Sequence, residues 1–234
     1  MGGEGDGMQW VQLAVWSAVI LMGRRSKWLL SLIAAGLAVS MGTQLLLLYM
    51  DGLISLETAL PLHLCSLTGI LSIFMLWHTP AWLVEMQTFL SAPAALITLF
   101  FPAVIECSRP LLMRASFYRL HVLLALLPLF YFCTQKPLPT DPCRTLLLGS
   151  GYLLALSAFN RAFHTNYLFL RAVPAGTPLT LFFSRGIPFY LCALAMLCTL
   201  VMSWLKHAYL TAGNKSSCSR YSCRTAPCTS RDRG

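Results

Sequence analysis

Charge is what this chain has least of. Only 11% of its 234 residues are charged, and just 8 are acidic against 17 basic. A water-soluble domain carries about 25% charged residues, so the deficit excludes an ordinary soluble surface. No Cys-x-x-Cys pair occurs among the nine cysteines, which leaves a zinc ribbon without support. The cysteines do not read as a disulfide framework either. Cys65, Cys133, Cys192 and Cys198 lie in apolar runs, where cysteine behaves as a small hydrophobe. The first seven residues, MGGEGDG, are acidic and glycine-rich where a secretory signal would be basic, so the first apolar segment is expected to stay as a membrane helix. The net charge of +9 is scattered over short loops and a tail. That is how membrane topology is written, and it does not point to nucleic acid.

What the chain has in abundance is apolar surface, at 57% of residues. A helix needs about 20 apolar residues to cross a bilayer. Seven segments meet or approach that length: 8–22, 28–49, 59–78, 81–105, 116–133, 145–163 and 187–206. The fold class expected is therefore all-α, a polytopic membrane bundle of about seven transmembrane helices. The first segment is the shortest, and Pro93 and Pro102 interrupt the fourth. The stretch TNYLFLRAVPAGTPLTLFFSRG is apolar but broken by Pro174, Gly176 and Pro178. It reads as an interfacial or partly re-entrant loop, tolerated where protein buries it. Residues 1–210 form the membrane domain, and the polar, basic residues 211–234 read as a disordered tail.

Basic residues set the orientation. Arg24, Arg25, Lys27, Lys136, Arg144, Lys206 and the tail fall on one side of a seven-helix topology. This places the N-terminus outside and the C-terminus in the cytoplasm. Parity then brings the polar residues of the helices together. Cys65 lies about six residues into the third segment and His121 about five into the fifth, both entering from the same face, so each sits roughly 8–10 Å below it. Gln44 and Asn160 end their segments at that face, and Asn166 and Tyr167 follow in the loop there.

Polar groups inside membrane helices are costly and usually face the bundle interior or a wet cavity. Each residue also has a plainer reading: Cys65 as packing, His121 as a histidine bonded to a neighbour, Asn160 as interhelical glue. His63 and Cys65 project about 200° apart on an ideal helix, so His63 is a poor partner for the thiol unless Pro61 distorts the turn. A Cys65–His121 pair across two helices is sterically easier. Imidazole can take the proton of a thiol and leave a nucleophile, and Asn160 could orient the ring or bind an oxyanion. In one leaflet, the natural reaction is acyl transfer on a phospholipid ester through a thioester. Three other readings stand beside it: a transporter or small-molecule-binding protein, a structural membrane protein without chemistry, and a metal or haem site through His63 and His121. Against transport, no inverted repeat is visible, and Glu85 and Glu106 lie near segment ends.

Four stretches resemble the YwaF family of integral membrane proteins: LPLHLCSL at 60–67, SFYRLHVLL at 116–124, FNRAFHTNYLFL at 159–170 and RGIPFY at 185–190. Their order and spacing fit over residues 10–206. The resemblance implies about seven transmembrane helices in a bacterial cytoplasmic membrane. It also implies eukaryotic relatives that include a cysteine-centred lipid acyltransferase. On that analogy Cys65 is the nucleophile, His121 its base, and His63, Gln44, Asn160, Asn166 and Tyr167 line a phospholipid site that needs no cofactor or metal. Two departures stand out. His164 replaces the family's usual glycine before Thr-Asn-Tyr, and the last motif lacks its tryptophans, with Ile187 and Phe189 in their places.

Overall fold

One long helix organises the molecule. In the computed structural model, which describes residues 7–23, 28–134, 142–172 and 180, every described element is helical. In chain order these are α1 (Met8–Gly23), α2 (Leu29–Met50), α3 (Leu56–Ala59), α4 (Leu64–Phe74), α5 (Ala81–Met86), a π-turn (Gln87–Ser91), α6 (Ala92–Phe100), α7 (Pro110–Thr134), α8 (Pro142–Phe163) and a 3₁₀ turn (Tyr167–Phe169). Helix α7 packs against α1, α2, α4, α6 and the π-turn. Its Leu120, Val122, Leu123, Leu124 and Leu127 are buried in the main apolar core.

Helices α2 and α7 run antiparallel in one register. At one end, both carboxylate oxygens of Asp51 accept from Ser108, from its backbone N–H and its hydroxyl, each at 2.6 Å. Further along, Nε of Arg119 donates to Ser40 Oγ at 2.8 Å. One turn deeper, a Cβ on Gly36 would lie 2.8 Å from Leu123 Cδ1. Each step back along α2 is matched by an equal step along α7. The Leu123 side chain fills the space over Gly36, so a larger residue there would have to displace it.

By length and composition, five helical stretches can cross a membrane: Leu29–Met50, Leu56–Phe74, Ala81–Phe100, Pro110–Tyr131 and Arg144–Phe163. Helix α1 has 16 residues, about 24 Å, less than the roughly 30 Å hydrocarbon core. The segment 187–206 and the tail 211–234 lie outside the described residues.

Several boundaries differ from the sequence expectation. The segment 59–78 is a short α3, an extended link and then α4. Ser55 and Thr58 form a reciprocal cap that starts α3. Pro61 then favours extended backbone at the residue before it, and Leu60 is extended, at φ −83° and ψ 130°. Pro93 does not break its helix. It sits in the first turn of α6 after the π-turn, where a missing N–H costs little. The helix ends at Phe100, not at 105. Helix α7 begins at Pro110, six residues before the expected 116, because proline suits a first helical position.

Candidate functional site

Cys65 is the second residue of α4. The residue before the helix, His63, is extended, at φ −68° and ψ 140°, and its side chain makes no capping bond. The ideal-helix angle between His63 and Cys65 therefore does not apply, since only one of them is in the helix. The first-turn N–H groups of any helix lack intrahelical acceptors, and here no side chain caps them. Cys65 is thus a free thiol, 8% exposed, at the positive end of a helix dipole.

His121 lies on α7, which packs directly on α4. Gly69, one turn beyond Cys65, marks that contact: a Cβ there would meet Leu120 Cδ1 at 3.5 Å and Met41 Sδ at 3.2 Å. Nδ1 of His121 is 2.8 Å from the Phe117 carbonyl oxygen. A carbonyl only accepts, so Nδ1 donates and the neutral ring keeps its lone pair on Nε2. Among the described residues, no hydrogen bond joins Cys65 to His121.

The loop after α8 closes the site from one side. Tyr167 is completely buried. Its hydroxyl donates to the Leu56 carbonyl and, at 3.3 Å, to that of Leu60, tying the loop to the α3–α4 link. Its ring packs edge-on against His63, with centroids 5.1 Å apart. Burial raises the phenol above its ordinary pKa, with a smaller push from Glu57. Asn160 holds this loop with both ends of its amide. Oδ1 accepts from Thr165 Oγ1 at 2.8 Å and from the Tyr167 N–H at 2.9 Å, and Nδ2 donates to the Tyr167 carbonyl at 2.9 Å. Asn166 shapes the next turn, accepting from the N–H groups of Arg171 and Ala172. Three residues here have positive φ: His164 at 55°, Leu168 at 55° and Phe169 at 56°. The left-handed region suits glycine, which gives a physical reason for a glycine in the His164 position.

Four of the expected residues are brought together. His63, Asn160, Asn166 and Tyr167 build a clamp over the start of α4. Gln44 turns back to its own helix, donating to the Ser40 carbonyl at 3.3 Å. Counted from helix ends, Asn160 lies about 5 Å in and His121 about 17 Å. The longer count to His121 follows from α7 starting at Pro110 rather than at 116.

Other polar residues near the site went unread in the sequence. Tyr152 donates to the Leu62 carbonyl. It shares a helical stripe with Leu156 and Asn160, a spacing that could have flagged it. One turn beyond Cys65, Thr68 Oγ1 bonds Ser91 Oγ at 2.8 Å, and Gln87 Nε2 donates to the Thr68 carbonyl at 2.8 Å and to Ser72 Oγ. This network sits at the π-turn, a distortion frequent at functional sites. Glu85, 1% exposed, accepts from Arg144 Nε at 3.0 Å and Nη2 at 2.6 Å.

No curated protein and no solved structure matches this chain. A family model does, over residues 9–206, a span that includes all four stretches quoted above. By that match, and as a membrane protein of apolar helices, the chain belongs to the TMEM164 family.

Proposed function

We propose that this chain is a cysteine-dependent acyltransferase or transacylase acting on phospholipid esters within one leaflet. His121 Nε2 takes the proton of Cys65 Sγ, and the sulphur attacks the ester carbonyl. The oxyanion is held by the uncapped first-turn N–H groups of α4. Collapse breaks the acyl C–O bond and leaves a thioester on Cys65. The departing lysophospholipid oxygen takes the proton back from His121. An acceptor hydroxyl, deprotonated by the same Nε2, then attacks the thioester and restores the thiol. The clamp of Tyr167, Asn160 and His63 fixes the start of α4, so it positions the thiol without touching the reacting atoms. With the N-terminus outside and the C-terminus in the cytoplasm, the clamp lies on the outer side.

One observation carries the reading: a free thiol stands at an uncapped helix start, on a helix packed against the one whose histidine has only Nε2 left to offer. The two side chains must close on substrate binding, as catalytic hydrogen bonds often do. The test is transfer of a labelled acyl chain from a phospholipid to a lysophospholipid by purified protein. Transfer lost in Cys65→Ser with the fold intact is expected. Transfer unchanged in Cys65→Ser would rule the reading out.

The second reading is a transporter or small-molecule-binding protein, favoured by the buried carboxylate of Glu85 within a span, paired with the partly exposed Arg144. It predicts that Cys65→Ser is silent and that changes at Asn160 or Tyr167 are not.

A further inference from the structure

Arg119 stands inside the span Pro110–Tyr131, and an arginine side chain keeps its charge in a protein. Of its five N–H donors, Nε alone has a partner among the described residues, Ser40 Oγ. Ser40 is fully buried, and its own hydroxyl donates to the Gly36 carbonyl at 2.6 Å, so its oxygen is aimed to accept from Arg119. No carboxylate among the described residues lies within 4.0 Å of the guanidinium. Asp51 is bound to Ser108, and Glu85 to Arg144. Of the carboxylates outside the described residues, Glu4 and Asp6 precede α1, Asp141 precedes α8 and Asp232 lies in the tail. A cation left uncompensated in a span is costly.

The same place holds unmet acceptors. Gln12 of α1 donates through Nε2 to the Ala115 carbonyl at 3.2 Å, one turn before Arg119 on the same face of α7. Its Oε1, and that of Gln9 one turn earlier, are buried without a partner among the described residues. An arginine with donors to give and two amides with acceptors to fill thus stand on neighbouring turns where α1 and α2 pack on α7. Gln12 is about 6 Å into α1, and side chains on α7 lean toward its N-terminus. The guanidinium therefore reaches toward the level at which α1 begins, away from the bilayer centre.

We infer that Arg119, Ser40, Gln9 and Gln12 form a binding site for the headgroup of a phospholipid, with the phosphate on Arg119 and a headgroup hydroxyl or amine on the glutamine oxygens. The guanidinium fork matches two phosphate oxygens, and the amide oxygens require a donor that a phosphodiester alone lacks. The outward-facing Val11, Val15 and Val39 beside it are exposed apolar surface on which acyl chains can lie. On α7, Arg119 is two residues from His121 and so about 200° around the helix from it. The site is separate from the Cys65–His121 pair, and it stands or falls independently of acyl transfer. A lipid there would tie the short α1 to α2 and α7.

The test is lipid-dependent thermal stability of the delipidated full chain in detergent, with native mass spectrometry of bound lipid. The probes are dioleoylphosphatidylglycerol, dioleoylphosphatidylcholine, dioleoylglycerol and inorganic phosphate. Phosphatidylglycerol should stabilise and remain bound, phosphatidylcholine should act more weakly for want of a headgroup donor, and the other two should do nothing. Arg119→Gln should weaken phosphatidylglycerol binding about tenfold or more, the loss of a charge-assisted contact. If that variant does not fold, Ser40→Ala, which keeps the charge, should still weaken binding several-fold, and Arg119→Lys should retain part of it. Equal stabilisation by dioleoylglycerol, or an undiminished shift in Arg119→Gln or Ser40→Ala, would overturn the site. Equal stabilisation by inorganic phosphate would make it a site for a soluble anion and overturn the lipid assignment.

Discussion

Nδ1 of His121 and the carbonyl oxygen of Phe117, one turn earlier on α7, are 2.8 Å apart. This bond within one helix fixes the ring's tautomer and leaves Nε2 as the basic nitrogen. The measurable consequence is a histidine nitrogen spectrum. In ¹⁵N-labelled protein at neutral pH, the His121 ring should be protonated at Nδ1 and bare at Nε2. The opposite tautomer would mean that the Phe117 bond does not persist.

Asn160 engages both ends of its amide in the loop, so its replacement should be structural before it is chemical. Asn160→Ala strands the Tyr167 N–H and carbonyl and the Thr165 hydroxyl in a buried setting. The cost should be about 2–4 kcal/mol, read as a lowered unfolding midpoint in detergent. Asn160→Asp should not rescue it, because its second oxygen would face the Tyr167 carbonyl. An Asn160→Ala variant of undiminished stability would show that the loop is held elsewhere.

His164 has a φ of 55° and is exposed. A left-handed non-glycine residue costs about 1–2 kcal/mol, while glycine adds unfolded-chain entropy of about 0.4–1 kcal/mol. His164→Gly should therefore be neutral or slightly stabilising, and His164→Val destabilising. Thermal denaturation of the two variants checks the sign. A destabilised His164→Gly would mean that the imidazole itself makes a contact.

Arg144 is 41% exposed, but its partner Glu85 is only 1% exposed. Removing the arginine leaves a buried carboxylate with its main cation gone. Arg144→Met should cost about 2–3 kcal/mol, less than for a fully buried pair because of the arginine's exposure. Adding Glu85→Gln to Arg144→Met should recover part of the loss. A double variant no more stable than Arg144→Met alone would show that the pair is not the origin of the loss.

Much of this architecture was legible in the sequence. Apolar runs long enough to span a bilayer gave the all-α bundle, because backbone groups in lipid leave few alternatives. Local disruptions were harder to read. Pro61, Pro93 and Pro110 all look alike in sequence, yet one forces an extended link, one is absorbed after a π-turn and one starts a helix. The last shifts His121 inward by six residues. At the site, Cys65 and His121 stood out as reactive groups in oily helices. Asn160, Asn166 and Tyr167 stood out equally but prove to hold a loop, since residue type does not reveal whether an amide is already engaged. Arg119 escaped notice because it reads as another basic residue near a helix start, and only its lack of a carboxylate partner among the described residues sets it apart.

The most direct measurement is labelling of purified protein with a lipid-like, thiol-selective acylating probe, followed by peptide mapping in wild type and His121→Ala. An activated nucleophile predicts selective labelling at Cys65 that falls about 10²–10⁴-fold in His121→Ala, with the unfolding midpoint little changed. Labelling at Cys65 no faster than at Cys192 or Cys198, or unaffected by His121→Ala, would contradict the catalytic pair and favour a binding or transport role.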